Sequence, residues 1–233
     1  MASRPSGPAA NAKQLNEQIV ACRACPRLVE WRERVALEKR ASFARETYWG
    51  KPVPGFGDPS AAVLIVGLAP AAHGGNRTGR IFTGDRSGDW LFGSLFRTGF
   101  ADRPRSVAPG DGLTLTGAYI GAVVRCAPPA NRPTIEERDR CLPYLIAEIQ
   151  LLEHLRVVVA LGSFAWDGVL RAMASLGMSR RPKPRFGHLE ESRLGDHTIL
   201  GSYHPSQQNT FTGRLTESML DAVFRRAREL TGG

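Results

Sequence analysis

The sequence predicts an α/β fold in which helices cover both faces of a parallel β-sheet. Four short apolar segments, each with the length and β-branched content of a buried strand, alternate along the chain with segments of helical periodicity. This alternation is typical of a parallel sheet, because a helix returns the chain to start the next strand in the same direction. In such sheets, ligands bind beyond the carboxyl ends of the strands.

The predicted elements follow one another in a simple order. Two surface helices are predicted at about residues 13–20 and 26–45, and a loop rich in Gly and Pro spans residues 49–60. The strands are predicted at residues 61–67, 117–124, 156–162 and 197–203. The later helices are predicted at residues 88–98, 134–155, 163–176 and 216–230. The loops at which we expect a ligand begin at Gly67, Arg125, Gly162 and Tyr203.

The length and composition favour one domain over residues 1–233. Hydrophobic residues make up 42% of the chain, which is enough for a buried core. About residues 1–12 are expected to be flexible, because they are rich in small residues and Pro. The apolar segments are far shorter than the roughly 20 residues that cross a bilayer, and the N-terminus lacks the apolar region of a secretory signal. We therefore expect a cytoplasmic protein that makes no contact with a membrane.

The charge balance favours a polyanionic partner. Lys and Arg number 31 against 22 Asp and Glu, which leaves a formal net charge of +9. Such a balance is expected of a protein that binds nucleic acid. Only 4 of the 31 basic residues are Lys, and the excess of Arg is explained equally well by phosphate recognition and by a GC-rich coding bias. The charge therefore suggests nucleic acid and names no reaction.

The four cysteines have a spacing that favours a metal centre. They form a C-x2-C pair, followed after 100 residues by a C-x14-C pair: Cys22, Cys25, Cys126 and Cys141. Disulfides are not expected in a reducing cytosol, whereas four thiolates can bind Zn²⁺ or a [4Fe–4S] cluster. Four unrelated free cysteines are the alternative. The spacing does not distinguish zinc from iron–sulfur.

The loop after the first strand contains candidate catalytic residues. Residues 67–85 include five glycines, which allow backbone to approach a ligand closely. The loop has neither a Walker phosphate motif nor a G-x-G-x-x-G turn, so a nucleotide cofactor is disfavoured. Phe82 is a lone aromatic residue among small and polar ones, and Asp85 precedes a predicted helix. Asp85 therefore suits both a helix N-cap and a catalytic carboxylate.

Two further loops add polar groups at the same edge of the sheet. Asn131 follows the second strand, and its planar amide can both donate to and accept from the edge of a base. His204 lies where the last strand ends, and Ser206 follows it with a hydroxyl that suits a phosphate contact. The Arg residues best placed in these loops for binding DNA phosphates are Arg77, Arg80, Arg132 and Arg214. Each of them can instead form a surface ion pair.

Together these motifs resemble the family 5 branch of the uracil-DNA glycosylase superfamily. The resemblance covers nearly the whole chain and depends on five motifs in the same order: the cysteine spacing, residues 67–71, residues 82–85, residues 126–131 and residues 204–214. It implies a three-layer α/β/α sandwich with a central four-stranded parallel sheet. It also implies a [4Fe–4S] cluster on the four cysteines. The implied activity is base-excision repair, in which the enzyme hydrolyses the N-glycosidic bond of uracil, and of other deaminated bases such as hypoxanthine, in DNA.

The resemblance also implies how the base is bound. The backbone of Gly67, Leu68 and Ala69 would face the base, Phe82 would stack on it, and Asn131 would form hydrogen bonds with its edge. The substrate is expected to be double-stranded DNA from which the base is flipped, and the enzyme is expected to be a monomer.

The remaining roles concern the bond that is broken. His204 would lie near uracil O2, Asp85 would orient or activate water, and Asn209 would contribute to the active-site loop that binds the base. Many relatives have a polar residue in the first motif, where this chain has Ala69 to Ala72 interrupted only by Pro70, and this leaves open which group activates water. A non-catalytic DNA-binding module that holds an iron–sulfur cluster or zinc is the alternative function.

Overall fold

The central sheet contains six strands, and the four in the middle are the predicted parallel strands. The computed structural model describes residues 9–232. The strands are β1 (Phe56–Gly57), β2 (Val63–Gly67), β3 (Ala118–Ala122), β4 (Val157–Leu161), β5 (Glu191–Leu194) and β6 (His197–Ser202). Their spatial order is β1-β3-β2-β4-β6-β5. The strands β3, β2, β4 and β6 are parallel, whereas β1 and β5 add antiparallel edges.

The prediction of four strands is therefore correct for the parallel centre and wrong for the edges of the sheet. The strand β1 has only two residues, and β5 alternates exposed and buried residues. Neither strand contains the continuous apolar run that identifies a strand buried on both faces. The register of the central pair places Val63 opposite Ala118 and Gly67 opposite Ala122.

The helices occupy most of the segments in which the sequence predicts them. They are α1 (Ala12–Ala21), α2 (Pro26–Glu38), α3 (Gly75–Thr78), α4 (Arg86–Arg97), α5 (Ile135–Leu151), α6 (Ser163–Ser175), α7 (Gln207–Phe211) and α8 (Glu217–Thr231). The sequence analysis did not predict α3 and α7, which are too short to show helical periodicity. The second helix ends at Glu38 and not near residue 45, because Lys39 has a φ of 54°.

Helix N-caps account for several of the boundaries. The hydroxyl of Thr134 accepts a hydrogen bond from the backbone N–H of Glu137, and the Glu137 side chain accepts one from the Thr134 N–H. This reciprocal capping box begins α5. Thr216 caps α8 through the N–H of Met219. Both threonines are predicted as the first helical residues, whereas the structure places each of them one residue before its helix.

Helices cover both faces of the sheet, as a three-layer α/β/α sandwich requires. Along β2, Val63 and Ile65 pack into a core that also contains residues of α4 and α8. Leu64, between them, packs into a second core that contains residues of α5 and α6. The alternation follows from the two-residue period of a strand, which points successive side chains to opposite faces. All three side chains are at most 1% exposed.

The first two helices are more deeply packed than surface helices. Leu15 and Ile19 of α1 pack with Tyr144 of α5 and are almost fully buried. Leu28 of α2 is part of the core beneath α5 and α6. This packing brings the segment between α1 and α2, which contains the C-x2-C pair, against α5.

The predicted flexible segment lies mostly outside the described residues. Residues 1–8 and residue 233 belong to the predicted domain but are not among the residues that the structure describes. Within residues 9–12, Asn11 accepts a hydrogen bond from the N–H of Gln14 and so caps α1, which begins at Ala12. Among residues 9–232, no helix is both long and apolar enough to cross a membrane.

Candidate active site and cysteine centre

A cleft of about 740 Å³ lies at the carboxyl ends of the parallel strands. Three loops provide most of its lining: the loop after β2, the loop after β3 and the loop after β6. Phe82, Asn131 and His204, one from each loop, all face this cleft. The other predicted residues that line it are Leu68, Ala69, Asp85 and Ser206. The topology of a parallel sheet explains the convergence, because all four strands end at this edge.

Phe82 lies above the end of β2 in a strained conformation. Its φ is 52°, in the left-handed region that non-glycine residues seldom adopt. A Cβ at Gly67 would be 2.7 Å from two carbon atoms of the Phe82 ring. Gly67 is therefore covered by Phe82, and its lack of a side chain leaves the space that the ring occupies.

His204 is a neutral imidazole next to Phe82. The two ring centroids are 5.9 Å apart, with an angle of 33° between the planes. Burial lowers the pKa of His204 to about 4. At neutral pH the ring therefore has one N–H donor and one acceptor nitrogen. Its Nδ1 is buried and has no hydrogen-bond partner among the described residues.

The segment that follows His204 holds the residue in place. The Nδ2 of Asn209 donates a 2.9 Å hydrogen bond to the backbone oxygen of His204. Ser206 begins α7, and its hydroxyl accepts a 3.4 Å hydrogen bond from the Asn209 N–H. Asn209 therefore lies behind His204 and lines a neighbouring cavity of about 240 Å³. Asn209 thus lies in the predicted active-site loop with its Nδ2 engaged by the backbone oxygen of His204, and its contribution to base binding stays a prediction.

Asp85 is both the N-cap of α4 and a lining residue of the cleft. Its Oδ1 accepts a 3.0 Å hydrogen bond from the N–H of Gly88. Burial raises the pKa of Asp85, and the hydrogen bonds from the backbone of Gly88 and Ser87 oppose that rise. A Cβ at Gly74 would be 2.1 Å from Oδ2 of Asp85. The carboxylate is thus enclosed by backbone on one side and open to the cleft on the other.

Asn131 lies in an exposed turn above the cleft. Ala130 and Asn131 have φ values of 51° and 55° in succession. Asn tolerates the left-handed region better than most residues, whereas Ala does not. The turn therefore contains backbone strain at the point where Asn131 lines the cleft.

Two of the four predicted phosphate-binding Arg residues are engaged inside the protein. Arg80 is 5% exposed, with NH1 3.0 Å from Oδ1 of Asp111 and NH2 2.7 Å from the hydroxyl of Ser106. The prediction that Arg80 binds DNA is therefore wrong. Arg77 is also engaged: its Nε donates to the His73 oxygen at 2.8 Å and its guanidinium stacks on Phe43. Neither group can reach a phosphate without first breaking these contacts.

The other two predicted Arg residues are exposed. Arg132 follows Asn131 at the surface, and Arg214 lies 4.6 Å above the ring of Tyr203. Both guanidinium groups therefore remain available to a phosphate at the surface.

Several side chains that line the cleft are not among the predicted site residues, and three of these can carry a positive charge: Arg40, His73 and Arg86. The hydroxyl of Tyr48 lies 3.0 Å from Nδ1 of His73, and burial lowers the pKa of His73. His73 lies in the Gly-rich loop and could have been considered on that ground, whereas Arg40 reaches the cleft only through the fold.

The four cysteines lie in two packed groups: Cys22 packs in the cluster that contains Cys141, and Cys25 packs in the cluster that contains Cys126. Cys22 ends α1, Cys25 precedes α2, Cys126 follows β3 and Cys141 lies within α5. Burial raises the pKa of Cys126 to about 11, and the charges of Cys22 and Cys25 add to the rise. Burial likewise raises the pKa of Cys141, with contributions from Cys126 and Cys22. None of these four described cysteines forms a disulfide.

The surroundings of the thiols suit an anionic centre. Arg32, which is 1% exposed, donates from NH1 to Sγ of Cys126 at 2.9 Å. The backbone N–H of Arg125 donates to Sγ of Cys141 at 3.3 Å. Hydrogen bonds from N–H groups to thiolate sulfur are the usual surroundings of iron–sulfur clusters. Within residues 9–232, no group of three or more His, Cys, Asp or Glu side chains lies close enough together to hold a metal ion.

The family model of the uracil DNA glycosylase superfamily matches residues 54–228. The chain belongs to this superfamily. The matched region contains all six strands and the three loops that line the cleft, whereas Cys22 and Cys25 precede it.

Curated relatives extend the similarity to nearly the whole chain. The type-5 uracil-DNA glycosylase of Mycobacterium tuberculosis (strain CDC 1551 / Oshkosh) is 56% identical over 97% of this chain and 84% of the relative. The enzyme of that name from Thermus thermophilus is 50% identical over 93% of this chain and 96% of the relative. The type-5 enzyme from Pyrobaculum aerophilum is 45% identical over 90% of this chain and 89% of the relative. The α1–α2 region with its C-x2-C pair is therefore part of the similarity to type-5 enzymes.

Proposed function

We propose that this protein is a monofunctional DNA glycosylase that hydrolyses the N-glycosidic bond of uracil in DNA. One observation supports the proposal most directly: an aromatic ring, an amide and a neutral imidazole, from three separate loops, line one cleft at the carboxyl ends of the strands. Membership of the superfamily and the names of the type-5 relatives point to the same activity.

His204 acts on the leaving base. In the transition state the sugar acquires oxocarbenium character, and negative charge develops on the departing uracil, at N1 and O2. Burial keeps His204 neutral, and the neutral imidazole retains one N–H that can donate a hydrogen bond to O2. A preorganised donor of this kind contributes roughly 100- to 1000-fold to the rate.

Phe82 and Asn131 hold the extruded base. Flipping costs a few kcal/mol, and stacking of the base on Phe82 returns roughly 1 to 3 kcal/mol of that cost. The Asn131 amide accepts from uracil N3–H and donates to O4, whereas cytosine presents the opposite pattern at these positions. The volume of about 740 Å³ leaves room for hypoxanthine and other deaminated bases.

Asp85 orients the attacking water and contributes less to the rate than His204. Its carboxylate already accepts the hydrogen bond that caps α4, so its direction is fixed before the substrate binds. Phosphates that flank the target nucleotide add negative charge that stabilises the cationic sugar. The reaction therefore does not need a strong base.

The DNA backbone lies across exposed basic residues around the cleft. We assign phosphate contacts to Arg132 and Arg214 from the sequence analysis, and to Arg40 and Arg86 because they line the cleft. Ser206 adds a hydroxyl at the same rim. We propose that the enzyme acts on duplex DNA as a monomer in the cytoplasm. Binding that depends on phosphate neutralisation must weaken as salt rises.

The four cysteines would hold a [4Fe–4S] cluster. Such a cluster, when bound, supplies a rigid cross-link between segments that are far apart in sequence. Through Cys126 it would connect α1, α2 and α5 to the loop that presents Asn131. The hydrogen bonds that Arg32 and Arg125 donate to sulfur support this assignment. An absorption band near 400 nm, which zinc does not produce, tests it.

Incubation with a uracil-containing duplex tests the activity. The strand is labelled, treated with the protein, and then cleaved at abasic sites with alkali. A glycosylase yields a single shortened product at the uracil, and a matched duplex with thymine at that position yields none. An intact uracil strand, together with retained binding, would establish the non-catalytic DNA-binding module instead.

A further inference from the structure

Arg32 is a buried cation that the proposed excision chemistry does not use. It lies in the middle of α2 and is 1% exposed. Its ion pair with Glu33 is long, 3.7 Å, and Glu33 is 41% exposed and is also held by Arg23. A buried guanidinium is unfavourable unless nearby groups compensate its charge. Glu33 is too distant and too well solvated to provide most of that compensation.

The shortest contacts of Arg32 are with the cysteine segments. Its NH1 lies 2.9 Å from Sγ of Cys126 and 3.3 Å from the backbone oxygen of Cys22. One guanidinium therefore contacts both halves of the cysteine centre, which are about a hundred residues apart in sequence. Its Nε is buried and has no hydrogen-bond partner among the described residues.

The geometry points to Arg32 as the positioning residue that compensates the charge of the four-cysteine centre. This inference rests on the proposed iron–sulfur cofactor. Four thiolates carry more negative charge than a [4Fe–4S]²⁺ core neutralises, so the loaded centre is a net anion. Water does not reach a buried anion to stabilise it. A buried cation that directs an N–H at one of its sulfur atoms provides that stabilisation instead.

A second cleft lies next to Arg32. Its volume is about 870 Å³, and Arg32, Asn16, Lys51 and Tyr119 are among the residues that line it. Cys22 and Cys25 are themselves partly exposed. Arg32 therefore acts on the centre through its charge and through its hydrogen bond to Cys126.

Three variants of the full-length protein test the inference, all purified without oxygen. Arg32→Gln removes the positive charge. Arg32→Lys keeps the charge but replaces the planar guanidinium and its several N–H donors by a single ammonium group. Arg34→Gln makes the same chemical change on the same helix, at a side chain that is 49% exposed and paired with Glu30 at 3.7 Å. The readouts are iron per protein and the rate at which a ferrous chelator removes the absorbance near 400 nm. Far-ultraviolet circular dichroism confirms that each variant is folded.

We expect Arg34→Gln to match the wild type, Arg32→Gln to lose iron roughly 10-fold faster or more, and Arg32→Lys to lie between them. A folded Arg32→Gln that keeps its iron at the wild-type rate would overturn the inference. If Arg32→Gln does not fold, Arg32→Lys decides, and a wild-type rate in that variant would also overturn it. The iron and sulfide content of the wild-type protein is measured before any variant is made. If the wild type contains neither, the inference and the proposed cofactor are both overturned.

Discussion

Phe82 and Gly67 fit each other so closely that a methyl group at Gly67 would overlap the ring, at 2.7 Å. Gly67 is the last residue of β2, and Phe82 reaches it from fifteen residues further along the chain with a φ of 52°. Such a conformation costs of order 1–3 kcal/mol and persists only where the surroundings enforce it. Two motifs that are separate in the sequence therefore pack against each other at the end of β2, with Phe82 facing the cleft.

Gly67→Ala is expected to lower excision by displacing Phe82. If the stacking of roughly 1 to 3 kcal/mol is lost, the single-turnover rate on a uracil duplex falls about 5- to 150-fold. Gly93→Ala is the control, because a Cβ there meets only the end of the Arg97 side chain, at 3.3 Å. An unchanged rate in Gly67→Ala would show that the ring is not a stacking platform.

His204→Ala is expected to reduce the single-turnover rate roughly 100- to 1000-fold, because it removes the donor to the leaving base. His154→Ala serves as the control, since His154 is exposed and distant from the cleft. A decrease of less than about threefold in His204→Ala would place the main catalytic contribution elsewhere.

The pH dependence follows from the low pKa of His204. We expect no inflection of the rate at 6.5, the ordinary value, and a change in the rate only as the pH approaches about 4. The free energy of unfolding also depends on pH in this interval. In the unfolded chain His204 binds a proton at its ordinary pKa of about 6.5, whereas in the folded chain its pKa is about 4. Between these two pH values the unfolded chain binds more protons, so the folded protein becomes less stable as the pH falls. Urea unfolding of the wild type and His204→Gln at several pH values measures this difference, which would be absent if the folded imidazole titrated normally.

Asp85→Asn is expected to keep much of the rate and nearly all of the stability. Asn is as good an N-cap as Asp, so the hydrogen bond with Gly88 is retained. Asp85→Ala is expected to lose about 1 kcal/mol of stability through loss of the cap. Excision rates and thermal unfolding of both variants distinguish the two roles. A drop of Asp85→Asn to the uncatalysed rate would make water activation the main catalytic contribution.

Arg132→Gln and Arg214→Gln are expected to weaken DNA binding at all sequences. Each should reduce the slope of log K against log salt by about 0.9, the value for one phosphate contact. Arg156→Gln is the control, because Arg156 is exposed immediately before β4, at the opposite edge of the sheet. Fluorescence anisotropy with an abasic duplex at several salt concentrations measures the slopes. Equal slopes in all three variants would remove these residues from the interface.

Features that depend on local pattern could be predicted from the sequence. The four parallel strands are apolar runs with buried residues throughout most of their length, and the cap at Asp85 follows from a carboxylate at the start of a helical segment. The strands β1 and β5 could not be predicted in this way, because they exist only where a neighbouring strand offers hydrogen bonds. The residues of β5 alternate and are half exposed, which a loop can equally show.

The roles of the Arg residues near the site could not be predicted from local sequence either. Arg80 and Arg214 both lie in polar loops rich in Gly, Thr and Arg, so their sequence surroundings do not separate them. The fold places Asp111 next to Arg80, and that pairing makes the side chain structural. Arg214 has Tyr203 beneath it and remains at the surface. Asp111, the partner of Arg80, lies about thirty positions away in the chain, so the pairing cannot be predicted from the residues next to Arg80.

The sequence by itself determined the parallel centre of the sheet, the loops that face its carboxyl edge and the residue types in those loops. These depend on hydrophobic periodicity and on residue chemistry, which act over a few positions. Only the tertiary structure decided that Phe82 covers Gly67, that Asn209 supports His204 and that Arg32 contacts Cys126. Such pairings join residues that chain folding brings together, and their energies depend on burial and distance that exist only in the folded protein.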